Sequence, residues 1–558
     1  MTGSATGGDL PGAVVTPPPT ESERRRMVGW FDPGPLVTTG FNVIVSTLFG
    51  RHSDYRLIEA LATADQQQFF DYTVDETGAT RSDIWIDYVA DTGDGWNSTY
   101  AIAYWITRPS LAGVDEAGRP VDTRPGRLLV FGGDQVYPSA NRRDYRDRLV
   151  RPFETARNYS APPEPDVFAL PGNHDWYDSL VSFTRLFCSQ RWFQGWRTRQ
   201  ERSYFALRLP GRWWLIATDC QLGSDIDALQ VAYFKRVAAA MHEGDRIILC
   251  SAEPHWVYSE TYQELDPEIN EHNLRYLERV FARSGAVTRV HLAGDLHHYR
   301  RHAHADGTQK ITAGGGGAFL HPTHGADVSQ LAGGFTLRRA FPTEAVSRRL
   351  AWRNVLFPII NPRFGWVTGS VYALIGWWWQ LGGLGRILGP LLIISGFILF
   401  TDTHSPWYRR VAGSLHGVAH LMAAYALGVL GLSLAALLPG QLPASYAPML
   451  QTAIVGGVLL GGGWVVGSFL MGLYLLISLN GFGRHSNEAF SALRIEDFKH
   501  FVRLRITAEG DLRIFPFGIE RVPRHWKPVP DARPDEAQLE SDDPRATPPV
   551  AIEPAILV

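Results

Sequence analysis

Five apolar runs in this chain are each followed at once by side chains that suit a hard or borderline cation. The runs are Ile84–Ala90, Leu128–Phe131, Val167–Leu170, Ile247–Leu249 and Val290–Leu292. Behind them come Asp91-Thr92-Gly93, Gly133-Asp134-Gln135-Val136-Tyr137, Gly172-Asn173-His174-Asp175, His255 and Gly294-Asp295-Leu296-His297, and then a glycine run, Gly314–Gly317. Short apolar runs bounded by glycine and polar residues read as buried β-strands. Oxygen and imidazole ligands on loops at the ends of buried strands are what a two-metal site in an α/β sandwich requires.

The ordered set resembles the calcineurin-like metallophosphoesterases, and its DxG, GDxxY, GNH and GxxH spacing is closest to the purple acid phosphatases. The resemblance spans residues 80–320 and implies a four-layer α/β/β/α sandwich. It departs from the family pattern at two places. The final motif, usually Gly-His-x-His, reads Gly294-Asp295-Leu296-His297, and the fourth, usually Val-x-x-His, reads Ala252-Glu253-Pro254-His255.

The resemblance implies a metal-dependent phosphoric ester hydrolase acting through a dinuclear centre and a metal-bound hydroxide. Asp134 would bridge two cations about 3.5–4 Å apart. Asp91 and His297 would complete one site, with Tyr137 either a further ligand or a neutral tyrosine beside the metals; Asn173, His255 and Asp295 would complete the other, with a non-ligand Asp295 and a weak or absent second metal as the alternative. His174 would face the phosphate as acid or charge stabiliser, with Asp175 holding its other ring nitrogen. A carboxylate at 295 favours harder ions, so two manganese or iron ions are expected, with zinc or magnesium as alternatives. Asp295 and His297 are expected to point the same way from an extended segment, with Leu296 packing away. His298 and Arg142 are candidate substrate contacts. For Arg142, with Arg143 and Arg146, a solvated helix face is an equal reading.

Downstream, charge disappears. Arg386 is the only charged residue from Phe364 to Phe400, and Val411–Gly483 contains no Asp, Glu, Lys or Arg. A membrane span takes about 20 apolar residues, which predicts four spans near 364–381, 386–402, 411–438 and 449–479, with a turn at Pro439–Pro443. Trp377–Trp379 would anchor at an interface. His416 and His420, four apart on one helix face, are expected to hydrogen-bond between helices. Arg348, Arg349, Arg353, Arg363, Arg409, Arg410, Arg484 and Arg494 all fall on one side, which places the catalytic domain and C-terminus in the cytoplasm at the plasma (inner) membrane.

The expected domains are a disordered start (1–24), a phosphoesterase domain (25–362, core motifs 84–320), transmembrane helices (363–482), a β segment docking on the phosphoesterase domain (483–526) and a disordered tail (527–558). Leu36–Phe49 reads as a helix lying on a membrane or on the next domain, and no stretch makes a convincing secretory signal. Phe498–Ile506 and Leu512–Ile519 alternate about Glu509-Gly510-Asp511 and predict a hairpin. The net charge of −3 argues against a nucleic-acid partner. Arginine outnumbers lysine heavily, Lys235, Lys310, Lys499 and Lys527 being the only lysines, a bias that GC-rich bacterial codon usage produces. The three cysteines, Cys188, Cys220 and Cys250, lack metal-type spacing, and Cys220 and Cys250, at the ends of apolar runs, read as buried thiols, which fits a reducing compartment. The expected partners are a phosphoester, which a lipid could carry, and the membrane. The alternative class is a non-catalytic membrane sensor or scaffold that keeps the fold.

Overall fold

Each of the five apolar runs forms a strand, and the strands divide between two nine-stranded mixed sheets. The computed structural model describes residues 17–34, 36, 69–157, 159–160, 164–189, 192–193, 195–220, 226–261, 268–381, 383–401, 405–437 and 446–558. One sheet holds Asp83–Val89, Leu128–Gly132 and Asp166–Leu170 side by side and parallel. The other holds Arg246–Cys250, Val287–Ala293 and Gln309–Ala313 in the same relation. Alternation along each strand sends one set of side chains inward. Ile84, Ile86, Tyr88, Val130 and Phe168 of the first sheet meet Leu207, Leu215, Ile248, Val290 and Leu292 of the second in one dry core. The outward set of the first sheet, including Val89, Leu129 and Phe131, packs on the Trp96–Ile106 helix. That of the second, including Ile216, Ile247 and Leu249, packs on the Ala228–Ala239 and Glu268–Ala282 helices. This is the expected α/β/β/α layering.

The expected hairpin is present as Lys499–Thr507 and Leu512–Ile519. Its first strand runs antiparallel to Asp83–Val89, so the chain beyond the apolar helices extends the sheet that carries Asp91. The buried Arg503 guanidinium clamps this seam through Asp87 at 2.7 and 3.2 Å. The tail departs from expectation. Proline and acidic content suggested an unfolded segment, yet Val550–Ala551 and Ile556–Leu557 both pair with Leu512–Ile519. Glu553 accepts hydrogen bonds from Arg301 and Tyr299 across the sandwich. Edge-strand pairing and a half-buried ion pair hold what composition alone does not. At the other end residues 1–16 lie outside the described residues, and Glu21–Glu23 forms a short 3₁₀ turn.

The apolar region forms four helices, α1 (Phe364–Leu381), α2 (Gly385–Phe400), α3 (Pro406–Ala435) and α4 (Ala447–Phe482). Among the described residues only α3 and α4 are long and apolar enough to cross a membrane, two helices in place of the expected four. Gly383 in the left-handed region at φ +49° turns α1 into α2, and this turn leaves α2 only 16 residues. Both short helices pack beside the long pair: Tyr372 Oη meets His420 Nδ1 at 3.0 Å, joining α1 to α3 as expected of that histidine. At 36 residues, α4 is about 54 Å long, longer than the hydrocarbon core of about 30 Å. Its last turns bury Met471, Leu475, Leu476 and Leu479 against Phe319, Leu320, Phe357 and Phe490 of the sandwich. The Leu36–Phe49 helix, apart from Leu36, and the Pro439–Pro443 turn lie outside the described residues.

Candidate metal centre

The carboxyl ends of the parallel strands of both sheets converge, and every candidate ligand follows one of them. Asp91 follows Val89, Asp134 follows Gly132, Asn173 follows Leu170, His255 follows Cys250, Asp295 follows Ala293, and Gly314 follows Ala313. Crevices outside the carboxyl ends of parallel strands are where open α/β sheets bind ligands.

The three aspartates share a backbone feature. Asp91, Asp134 and Asp295 have φ of +58°, +44° and +64°, a left-handed conformation that costs a residue with a Cβ about 1–3 kcal/mol. It turns each carboxylate back over the strand end. Glycine makes room: a Cβ on Gly172 would collide with the Asp134 carboxylate, and one on Gly294 or Gly314 with that of Asp91. Gly314, the first of the glycine run, thus lets the backbone approach the site closely.

Tyr137 Oη stands at the focus, 3.0 Å from Asp91 Oδ1, 3.1 Å from Asp134 Oδ2 and 3.0 Å from His297 Nε2. Burial and the surrounding carboxylates hold its phenol well above its usual range, so here it acts as a neutral hydrogen-bond donor. His297 Nδ1 donates to Phe319 O at 2.7 Å, which fixes the tautomer and turns the Nε2 lone pair toward the aspartates. A backbone carbonyl on the far nitrogen is how ligand histidines are commonly oriented. The Asp295 backbone N–H donates to Asp91 Oδ2 at 2.8 Å, and its carboxylate accepts from Tyr258 Oη. The expected strand alternation at 295–297 does not occur. With Asp295 left-handed the segment is a loop, and Asp295, Leu296 and His297 all line the same cavity of about 340 Å³. Half-buried Leu296 also packs, as expected, against the cluster of Trp256, Val257, Ala293, Val328 and Leu331.

Asp134, Tyr137, Asn173 and His174 line that cavity too. His174 Nδ1 donates to Pro138 O at 2.7 Å, leaving Nε2 as the ring's free nitrogen. Asp175 has a different role from the one expected. Instead of holding His174, it accepts from Gly172 N at 2.8 Å, from Gln135 N and from Tyr145 Oη, bracing the Gly172–Asp175 turn from below. Arg142 is exposed and lines a separate cavity with Arg143, Arg146 and Arg185. His298 is buried and lines a neighbouring cavity that shares a wall with the first. His255 is buried at the start of the His255–Thr261 helix.

Several residues at the site carry no motif signal. Glu253, inside the unusual fourth motif, is pushed up to about 7 by burial and then by Asp134. Trp30, from the N-terminal strap, packs edge-on against Tyr137, His174 and Phe319. His321 stacks on His297 with ring centroids 3.9 Å apart. Lys499 is buried, and burial lowers its ammonium to about 7 although Asp497, Asp94 and Asp91 oppose that shift.

Among the described residues no three His, Cys, Asp or Glu side chains stand as a ready cation cage, since the Tyr137 hydroxyl fills the space between Asp91, Asp134 and His297. The donor set nevertheless fits. Asn173 Oδ1 and His255 Nε2 are buried without a hydrogen-bond partner, and such orphans call for an explanation such as an ion. Burial holds the Asp91 and Asp295 carboxyls well above their usual range; Asp134 and Asp295 reinforce this on Asp91, and Glu253 and Asp134 on Asp295. Nearby positive charge is what relieves such crowding.

No family model and no curated protein matches the chain. Among solved structures it is similar to GAP50, the anchor in the inner membrane complex of Plasmodium, at 12% identity and a TM-score of 0.32 over 46% of this chain and 78% of that one. It is also similar to the purple acid phosphatase PPD1 from yellow lupin (Lupinus luteus) seeds, at 15% identity and a TM-score of 0.29 over 43% of this chain. The match spans about half of that phosphatase's length, 45%.

Proposed function

We propose that this chain is a membrane-anchored, metal-dependent phosphoesterase that hydrolyses a phosphomonoester or phosphodiester. The observation that carries the reading is the gathering of Asp91, Asp134 and His297 around the Tyr137 hydroxyl, with Asp295 bonded to Asp91, beside a cavity where Asn173 Oδ1 has no partner. Asp134 would be shared between two cations, Asp91 and His297 would hold one, and Asn173, His255 and Asp295 the other. The bound cations would supply Lewis acidity toward the phosphoryl oxygens and a nucleophile at neutral pH. The protein's own part is positional. The Pro138 carbonyl holds the His174 ring by Nδ1, so that a proton on Nε2 can pass to the leaving oxygen. Asp175 keeps the Gly172–Asp175 turn in register. Tyr137 has one proton to share among Asp91, Asp134 and His297, and its hydroxyl limits the approach of the two carboxylates to each other. Trp30 and Phe319 line the cavity and pack against Tyr137, His174 and His297.

The helices α3 and α4 supply the anchor. Their apolar side chains are largely exposed, as at Leu415, Met422, Leu432 and Met449, and only an apolar surrounding makes that stable. The arginines at 405–410 and 483–494 share one side, for which we propose the cytoplasm. A non-catalytic scaffold is the second reading, favoured by the lack of a ready cation cage among the described residues.

One experiment separates the two. Purified full-length protein is analysed for metal and assayed on p-nitrophenyl phosphate and bis-p-nitrophenyl phosphate with added manganese, iron, zinc or magnesium. The enzyme reading expects bound metal and turnover that Asp134→Ala abolishes together. Protein that binds no metal and turns over neither ester is a scaffold.

A further inference from the structure

The cavity that holds the candidate centre shares Tyr258, Leu296 and Ser486 with a second cavity of about 300 Å³. The second runs from His298 and Arg300 to Phe482, Gly483 and Arg484, the residues that end α4. The inner cavity is itself walled by Ser486, Asn487 and Ser491, which follow α4 within nine residues. Two adjoining cavities, with Tyr258, Leu296 and Ser486 in both linings, thus mark out a path from the reacting groups to the end of α4.

The rim of that path is built for an interface. Trp352 at 62%, Ile359 at 76%, Trp366 at 61% and Phe482 at 60% exposure surround the junction of sandwich and helices. Between them stand the exposed Arg349 and Arg353. Tryptophan, aliphatic side chains and arginine on one surface band mark the headgroup level of a bilayer. Arg300 adds a polar element inside the path. It is 6% exposed and donates from Nη2 to Thr323 O at 2.9 Å, while its Nε has no hydrogen-bond partner. A buried guanidinium N–H left open suits an acceptor on a ligand.

Resting on the phosphoesterase reading, we infer that the substrate is the phosphoester of a membrane amphiphile. Its phosphate enters the inner cavity from the membrane surface. An acceptor of its headgroup meets Arg300, and its apolar chain leaves past Phe482 along α4. A soluble phosphoester would use only the inner cavity. Binding energy from the remote chain would hold the phosphate at the reacting centre, so the chain should raise kcat/KM.

The test uses full-length protein in phosphatidylcholine vesicles loaded with the activating metal. It compares dioleoyl with dibutanoyl phosphatidic acid as a monoester pair, and the same chains on phosphatidylglycerol as a diester pair. The expected result is that kcat/KM for the long-chain member of at least one pair exceeds the short-chain member by about 10²-fold or more, the scale that a second tethered contact adds. In Phe482→Asp, with metal content retained, that ratio should fall at least about tenfold. Hydrolysis of p-nitrophenyl phosphate or bis-p-nitrophenyl phosphate with equal rates for long and short chains overturns the inference and leaves the phosphoesterase reading standing. A long-chain preference that Phe482→Asp does not change comes from shared residence in the vesicle and overturns the path. No turnover of any ester by metal-loaded protein overturns the phosphoesterase reading, and this inference with it.

Discussion

At the scale of single residues the site is a set of side chains held where they would not go unaided. Three carboxylates accept left-handed backbone and mutual repulsion, and two ligand-type atoms forgo hydrogen bonds. His174 is the member whose role can be separated from metal retention, because its Nδ1 bonds only to a carbonyl. His174→Ala should keep metal content and lose about 10²–10⁴-fold in kcat, read by metal analysis beside steady-state rates. Loss of metal would instead make it a ligand. A second residue-scale prediction concerns pH. His302, fully buried away from the site, bonds by Nε2 to Val328 O at 2.8 Å, and its Nδ1 has no partner. Burial lowers it from 6.5 to about 4. The folded state therefore prefers the neutral ring, and its contribution is complete above about pH 6.5 and lost as pH falls toward about 4. The thermal midpoint of the solubilised protein should drop across that window, and His302→Gln should flatten the drop.

Among elements, the seam between Asp83–Val89 and Lys499–Thr507 matters most, since it ties the chain after α4 to the strand that presents Asp91. Arg503 and Asp87 are buried there, and Thr123 Oγ1 and Ile106 O accept two further guanidinium protons. Removing one partner of such a pair strands a buried charge. Arg503→Leu should cost about 3–5 kcal/mol in denaturant unfolding, and adding Asp87→Leu should restore much of it. A loss no larger than that of a surface substitution would mean that water reaches the seam.

For the whole molecule, sandwich and helices share a core, because α4 runs on into the sandwich through Leu475 and Leu479. With α3 and α4 as an antiparallel pair, residues before α3 and after α4 lie on one side. Reporter fusions after Val558 and within residues 439–443 should therefore report opposite compartments, with the first in the cytoplasm. The same compartment for both would reject the pair as spans.

The strands, their order and the ligand loops were legible in the sequence because each apolar run ends in a glycine or ligand-type residue, a signal confined to a few neighbouring positions. The apolar helices were legible for the same reason, since charge is absent over whole spans. What only tertiary structure decided lies between distant segments. Asp175 turns to Gly172, Gln135 and Tyr145 and not to His174, because the turn's own N–H groups need an acceptor. The left-handed Asp295 makes 295–297 a loop with all three residues at the cavity, which no strand alternation anticipates. Trp30, His321 and Lys499 reach the site from places without a motif, and the proline-rich tail is held by edges and by Arg301 that composition cannot display. Local patterning determines which residues can ligate and which segments can leave water; long-range packing decides how many helices remain long enough to span and which side chains meet.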